Sequence, residues 1–407
     1  MVVVNPKLIK EIKTHSTKDV NVNACFNCGT CTASCPLSTE GNEFPRIMIR
    51  YGHLGLSEKI LSESKIWVCS ACNDCSDSCP RNATPGEYMN AVRKWAIAQY
   101  DVSGISRFLF RKSINLKIST FVVALLLTIL FFGTSNFNNF TDARPVKLFD
   151  FFSYEIIRDT SIFIFGILAI IVAFSLFNMT LKILGSEGIS IREGLSNARQ
   201  NKKDDSIFSL LFSPFMIIKE AFKVLIFEVF GQKKQYECLT ETETSKFEKL
   251  NSKWLMHVFT IWGFIGLFVA TILDMFLKHD HNELVSVFYP MRLLGIISGI
   301  FFLIGVTSFI LKRAFKVNKY YSNSTYEDYF ILVTLWILGF TGILLTAFLY
   351  LDFVPATWAY VIFVLHVVSF YELMIFAPFT KFAHVWYRTF ALWIHYSLEK
   401  RKSIVSS

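Results

Sequence analysis

The chain has 407 residues, 53% of them hydrophobic and 42 of them phenylalanine, with a formal charge of +9. That composition is too apolar for an ordinary soluble protein of this size. The positive residues lie between apolar runs and not on one basic face, so a membrane surface explains them better than nucleic acid does. The length allows two or three domains. The N-terminus, MVVVNPKLIKEIK, has too short an apolar run and no small-residue cleavage site for a signal peptide.

Residues 1–103 are mostly polar and hold one cysteine pattern written twice. The first copy is Cys25, Cys28, Cys31 and Cys35, followed by Pro36; the second is Cys69, Cys72, Cys75 and Cys79, followed by Pro80. This spacing is that of chains holding two [4Fe–4S] clusters. Three thiolates in a tight loop reach three irons of one cubane, and the fourth, past a turn, points to the other cluster. The spacing therefore predicts one cluster on Cys25, Cys28, Cys31 and Cys79 and a second on Cys69, Cys72, Cys75 and Cys35. Each proline removes a backbone donor and fixes the chain beyond its ligand.

Two other chemistries use such cysteines. Structural zinc needs four ligands, and a third cysteine at the same short interval has no use at a tetrahedral site. Disulfides need an oxidising compartment, which the membrane topology below argues against. Cys238 stands alone in a basic loop and reads as a free thiol. Between the cysteine runs, FPRIMIRYGHLGLSEKILSES has apolar residues at helical intervals, as does EYMNAVRKWAIAQY after them. An all-helical ferredoxin-type domain is expected, not a compact β-rich one.

Six later segments approach the roughly 20 apolar residues that cross a bilayer: 116–134, 160–182, 254–277, 287–311, 329–350 and 358–380. The stretch 207–231 is interrupted by Lys219, Glu220 and Lys223 and reads as an interfacial amphipathic helix. Basic residues crowd the loop 184–253 (Arg192, Lys202, Lys203, Lys233, Lys234), the loop after the fourth span (Lys312, Arg313, Lys316, Lys319) and the tail (Lys400, Arg401, Lys402). The other connections carry few, such as Arg144, Lys147 and Lys278. The positive-inside rule then puts both termini and the cysteine domain in the cytoplasm. Three segments result: a cluster domain (1–103), two spans with a basic connector (104–253) and four further spans with a tail (254–407).

Histidine is costly in hydrocarbon unless a partner receives it. His257 starts the third span; His366 and His384 lie at the start and just past the end of the sixth. The spacing of 18 residues between the last two is five helical turns, which predicts one face of a continuous helix and a separation of roughly 27 Å. His257 and His384 fall near the inner surface on antiparallel helices, a geometry for a bis-histidine haem b. His366 lies toward the outer side, either alone or with His279 or His281. A structural or proton-handling histidine is the alternative at each position. His15 and His53 read as surface residues, and His395 as interfacial. Arg292, Asp274 and Glu372 are polar residues in or beside the spans. Arg292 suits an ion pair with Asp274 or a haem propionate, and Glu372 could carry protons to a quinone; a structural role is the alternative for all three.

Residues 25–99, with the CGTCTASCP core and the WVCSACNDC segment, resemble the iron–sulfur C subunit of heterodisulfide reductase. Residues 254–397 resemble the membrane cytochrome b type shared by the nitrate reductase gamma subunit and the E subunit of heterodisulfide reductase. The residues carrying that second resemblance are His257 with GFIGL, and His366 and His384 with APFTKFAH. The gamma subunit has a second histidine further along the helix of the first; here Leu267 and Phe268 occupy that region, so the resemblance leaves the outer ligand set open. It implies one or two haems b, a quinone and a cytoplasmic catalytic partner, either a cysteine-rich protein with CCG modules or a flavoprotein.

The expected fold class is thus all-α: a helical two-cluster domain followed by a polytopic helix bundle. The expected function is electron transfer between the quinone pool and a soluble subunit of a heterodisulfide-reductase-like or succinate, lactate or glycolate dehydrogenase-type complex. Substrate catalysis falls to that partner, because this chain lacks a CCG repeat, a nucleotide-binding glycine motif and a nucleophile constellation. A membrane-tethered redox sensor and a zinc-containing adaptor are the readings from other classes.

Overall fold

The computed structural model describes residues 3–16, 20–38, 43–142, 144–186, 214–233, 236, 252–277, 285–317, 321, 324–351 and 355–406. Among these residues there are helices and turns and no strand. The chain divides into two units, each discontinuous in sequence: residues 1–112, 170–238 and 379–407 form one, and 113–169 and 239–378 the other.

The first unit is built around the helix Pro85–Tyr100. Proline suits its first position, where the missing N–H has no intrahelical partner anyway. Tyr88, Val92, Trp95 and Tyr100 are buried along it. The Tyr88 hydroxyl donates to the Met48 carbonyl (3.3 Å), so a polar tip in the core is satisfied. The apolar stretch before the second cysteine run folds as two short helices, Arg46–His53 and Ser57–Leu61, and not as one. Gly55 breaks it. Its φ is +69°, and a Cβ there would fall 2.4 Å from the Asn5 carbonyl oxygen.

This core also takes side chains from far along the chain. Met179, Ile183 and Leu184 come from the helix Tyr154–Ser186, and Tyr387, Ala391, Ile394 and Leu398 from His384–Ser406. The latter four recur at helical intervals and form one stripe. Tyr387 stacks on Trp67 with centroids 5.7 Å apart and lies equally close to Tyr100. This final helix was expected at a membrane interface. Its apolar face is covered by protein instead, and an amphipathic pattern cannot tell the two coverings apart. His395 is buried there, with Nδ1 2.9 Å from Ser64 Oγ and Nε2 3.1 Å from Glu399. The helix Pro214–Lys223 runs on as a π-helical turn, Val224–Phe230. It buries Val224 against Val68 and Leu392 and exposes Phe222, Leu225 and Phe227.

Among the described residues, six helices are long and apolar enough to cross a membrane: Ser113–Gly133, Tyr154–Gly185, Lys253–Leu277, Pro290–Ala314, Tyr326–Tyr350 and Thr357–Phe379. They fall on the six predicted segments. In the second unit, the third and fourth spans meet through small residues. A Cβ on Gly263 would lie 2.6 Å from the Phe302 nitrogen, and one on Gly305 2.7 Å from the Met256 carbonyl oxygen. Lipid offers no hydrophobic drive for helix pairing, so close approach of backbones supplies the packing. Arg144 closes the exit of the fifth span by donating to the carbonyls of Phe348 (2.8 Å), Leu349 (3.3 Å) and Leu351 (2.9 Å).

Gly263→Val forces backbone apart and is expected to cost about 1–3 kcal/mol, read as a lower melting temperature of the detergent-solubilised protein. Gly166→Val is the control, since a Cβ there meets nothing within 4 Å. Equal melting temperatures for the two variants would refute the tight contact.

Candidate metal centres

The two cysteine loops have the same backbone. Asn27 and Ala71, each two residues after the first cysteine of its run, have φ of 61° and 56°; Gly29 and Asn73, two further on, have 92° and 80°. A one-turn helix follows each, Thr30–Ala33 and Asp74–Asp77. Left-handed residues at alternating positions curl the loop tightly, a form that makes anion-holding concavities of backbone N–H groups. Two asparagines and a glycine at these offsets were legible in sequence, because these residues tolerate positive φ best; the loops were read for their cysteines alone.

The loops are tied to each other at two points. Ser78 gives its hydroxyl proton to the Asp74 carbonyl at 2.7 Å, so Ser34 is the donor in the 3.0 Å bond between the two serines. These serines directly precede Cys35 and Cys79. At the other point, the Asn21 backbone N–H donates to Thr84 Oγ1 at 3.1 Å, joining the lead-in of the first run to the exit of the second.

Cys25, Cys28, Cys31 and Cys79 line one cavity of about 280 Å³, its open mouth included, with Thr30, Arg46, Pro80 and Ala83. Burial pushes the Cys31 thiol up to about 11, and Cys25, Cys28 and Cys79 add to the rise. Cys28 is exposed; its thiol is lowered by the Thr30 hydroxyl, which lies 3.3 Å away. The Ala83 N–H donates to Cys79 Sγ at 3.3 Å. Cys75 is likewise pushed up, first by burial and then by Cys69 and Cys35. Cys35 is raised by burial and faces Cys69 and Asp74. Cys79 lies with the first run at this cavity, and Cys75 has Cys69, Cys35 and also Cys31 as charge neighbours. The donor set fits iron–sulfur clusters, which need four thiolates and benefit from N–H bonds to sulfur.

The histidines lie in different settings. The sixth span ends at Phe379, Thr380 is extended, and a new helix starts at His384. His366 and His384 are therefore not on one continuous helix, and the eighteen-residue argument for a shared face fails. The Lys381 carbonyl accepts both the backbone N–H and the ring Nδ1–H of His384, the latter at 2.7 Å. Burial holds this imidazole down to about 4, so it is neutral at neutral pH. In the second unit, Thr341 donates its only proton to the Ile337 carbonyl at 2.7 Å, so it accepts from His366 Nδ1–H at 3.0 Å. Both rings are left with an Nε2 lone pair, the form a metal-ligating histidine takes. The donor chemistry fits an axial haem ligand. A Cβ on Gly342 would sit 3.1 Å from His366 Cε1. His257 packs edge-on to Phe309 at 6.0 Å. His279, His281 and Cys238 lie outside the described residues.

Glu372 faces Tyr326, whose hydroxyl also bonds Thr120 and whose ring receives Lys117 Nζ at 4.7 Å. Asp274 and Arg292 share Tyr350 as a charge neighbour. His15 is half-buried against Phe110, and His53 is exposed as expected.

Residues 21–83 match the family model described as a 4Fe–4S dicluster domain. The chain is similar to the iron–sulfur C subunit of the CoB–CoM heterodisulfide reductase of Methanopyrus kandleri, with 29% identity over 98 residues, 23% of this chain and 51% of that protein. It is 35% identical to a protein of Archaeoglobus profundus described as like the C subunit of heterodisulfide reductase, over 20% of this chain and 44% of that one. With the C subunit of the H2:CoB–CoM heterodisulfide,ferredoxin reductase of Methanothermobacter thermautotrophicus it shares 42% identity over 57 residues, 14% of this chain and 31% of that protein. The chain thus spans about half or less of these relatives' length. No solved structure matches it. These similarities support an iron–sulfur electron-transfer role, and the six apolar helices suggest a multi-pass membrane protein.

The sorting of thiols gives a directional expectation. Cys79→Ser should disturb the electron paramagnetic resonance (EPR) signal of the cluster on the first run and leave the other. Loss of the second signal alone would overturn the crossed assignment.

Proposed function

We propose that this protein is the membrane-anchored electron-transfer subunit of a quinone-linked oxidoreductase. It passes electrons between the quinone pool and a soluble catalytic subunit, and it carries two [4Fe–4S] clusters and one or two haems b. The observation that carries this reading is the combination, in one chain, of two crossed sets of thiols with imidazoles whose Nε2 is left available beside apolar spans. When bound, these groups supply one-electron transfer.

Cys25, Cys28, Cys31 and Cys79 hold the first cluster, and Cys69, Cys72, Cys75 and Cys35 the second. His384 serves the inner haem and His366 the outer one, with His257 and His279 as further candidate ligands. Thr341 and the Lys381 carbonyl fix the ring tautomers. A quinol releases two protons with its two electrons, so a carboxylate within the bundle is needed to receive one. Glu372, a charge neighbour of Tyr326, suits that task. Arg292 and Asp274, gathered at Tyr350, serve structure or a haem propionate. The positive-inside pattern supports a cytoplasmic cluster domain, where thiolates stay reduced. The partner is then a soluble subunit with CCG modules or a flavoprotein, acting on a disulfide or an organic acid.

Metal analysis and visible absorption test the reading together. About eight irons from two four-iron clusters, plus haem Soret and α bands, are expected. Clusters without haem would leave a tethered sensor, and colourless zinc an adaptor. His384→Ala should abolish the low-spin spectrum of the inner haem and spare the cluster signal; an unaltered haem spectrum would reject that ligand.

Glu372→Gln should slow haem reduction by quinol about 10²-fold with the absorption spectrum unchanged. A wild-type rate would remove Glu372 from the proton path.

A further inference from the structure

We propose that Arg93 and Arg388 are positioning residues that raise the reduction potential of the second cluster. The inference rests on the reading of Cys69, Cys72, Cys75 and Cys35 as its ligands. The Cys69 carbonyl accepts from two guanidinium groups: Arg93 Nη2 donates to it at 2.6 Å and Arg388 Nη1 at 3.1 Å. Arg93 Nε also donates to the Ile66 carbonyl at 2.7 Å. Arg93 therefore closes the last turn of the helix Lys65–Val68 where the ligand loop begins. Arg388 reaches the same oxygen from the final helix, 319 residues further along the chain.

Two guanidinium groups on one oxygen repel each other. Glu228 and Tyr396 are charge neighbours of Arg388. The Glu228 carboxylate accepts from the Tyr396 hydroxyl at 3.1 Å. Both guanidinium groups are half-buried, and one carboxylate leaves a net positive charge beside Cys69 that a further negative charge would offset. A cluster with four thiolates supplies it. Its charge goes from −2 to −3 when one electron enters, with no bond made or broken. Fixed positive charge beside a ligand favours the more negative state, and fixed positive charge is one of the levers on cluster potential.

Among the described residues, the first run shows no equivalent pair. Arg46 donates there to the Asn27 carbonyl at 3.3 Å and is itself paired with Glu43. The cationic clamp thus belongs to one copy of a repeated motif, and it is not a requirement of the loop's backbone. Two carboxylates lie near the second set, Glu87 acting on Cys75 and Asp74 on Cys35.

An EPR-monitored redox titration of the whole purified protein tests this. The second cluster is identified as the signal that survives Cys79→Ser. Arg388→Gln and Arg93→Gln should each lower its midpoint, cutting the reduced-to-oxidised ratio at a fixed potential by about tenfold, or 59 mV for a one-electron couple. The first cluster should not move. Arg388→Lys keeps the charge and should retain most of the wild-type midpoint. It is also the variant to read if the glutamine forms lose iron: a midpoint close to wild type then supports the charge effect, and a full downward shift overturns it. Iron-replete glutamine variants with both midpoints unchanged would also overturn the inference while leaving the cluster reading intact. Absence of two cluster signals from the wild type would instead remove the reading beneath it.

Discussion

The rest of the structure depends on how sulfur is crowded. Four thiol groups face one cavity, and burial with mutual proximity pushes Cys31 up to about 11. Thiols so placed resist ionising unless positive charge joins them, and iron supplies such charge. A loop that brings sulfur together therefore makes sense only around a cationic centre, and the backbone is committed to that end. Left-handed residues recur at the same offsets in both copies. The serine pair fixes the loops against each other beside the two crossing cysteines. Under the crossed assignment proposed above, an error in either loop would displace a ligand from both sets at once.

The same unit shows why the cluster domain is not a module hung on a linker. Its core is completed by Met179, Ile183 and Leu184 and by Tyr387, Ala391, Ile394 and Leu398. The first three lie at the end of the second apolar span in sequence, and the other four follow shortly after the sixth. Tyr387 stacks on Trp67, two residues before Cys69, and Arg388 bonds the Cys69 carbonyl. One turn of the final helix thus anchors the aromatic core and the start of the second ligand loop together. A truncated N-terminal fragment would lack both contacts.

Much of this was legible from the residues. Long, uncharged apolar runs placed the six apolar helices to within a few residues at most ends, since length and lack of charge suffice for them. The cysteine spacing carried the two-cluster reading, which the 4Fe–4S dicluster match over residues 21–83 supports. What escaped was set by tertiary context. Gly55 split a helical pattern because Asn5 lies against it, and no local rule sees that approach. His395 was read as interfacial because the amphipathic stretch around it looks the same beside lipid or under protein. Arg93 and Arg388 carried no motif, and only their distant partner gives them meaning.

The histidines show how one broken helix changes an argument. A spacing of five full turns says that two residues share a face only if every turn between them is made. Here the chain leaves the α-helix at Ala377, extends at Thr380 and restarts at His384. At the restart, the Lys381 carbonyl is shared between the backbone N–H of His384 and its Nδ1–H, the latter at 2.7 Å. His366, inside a helix, obtains the same tautomer from the adjacent Thr341, whose own proton goes to its helix carbonyl. Two different local solutions thus leave Nε2 as the acceptor. That shared outcome, and not a common helical face, is what makes both residues suited to a metal.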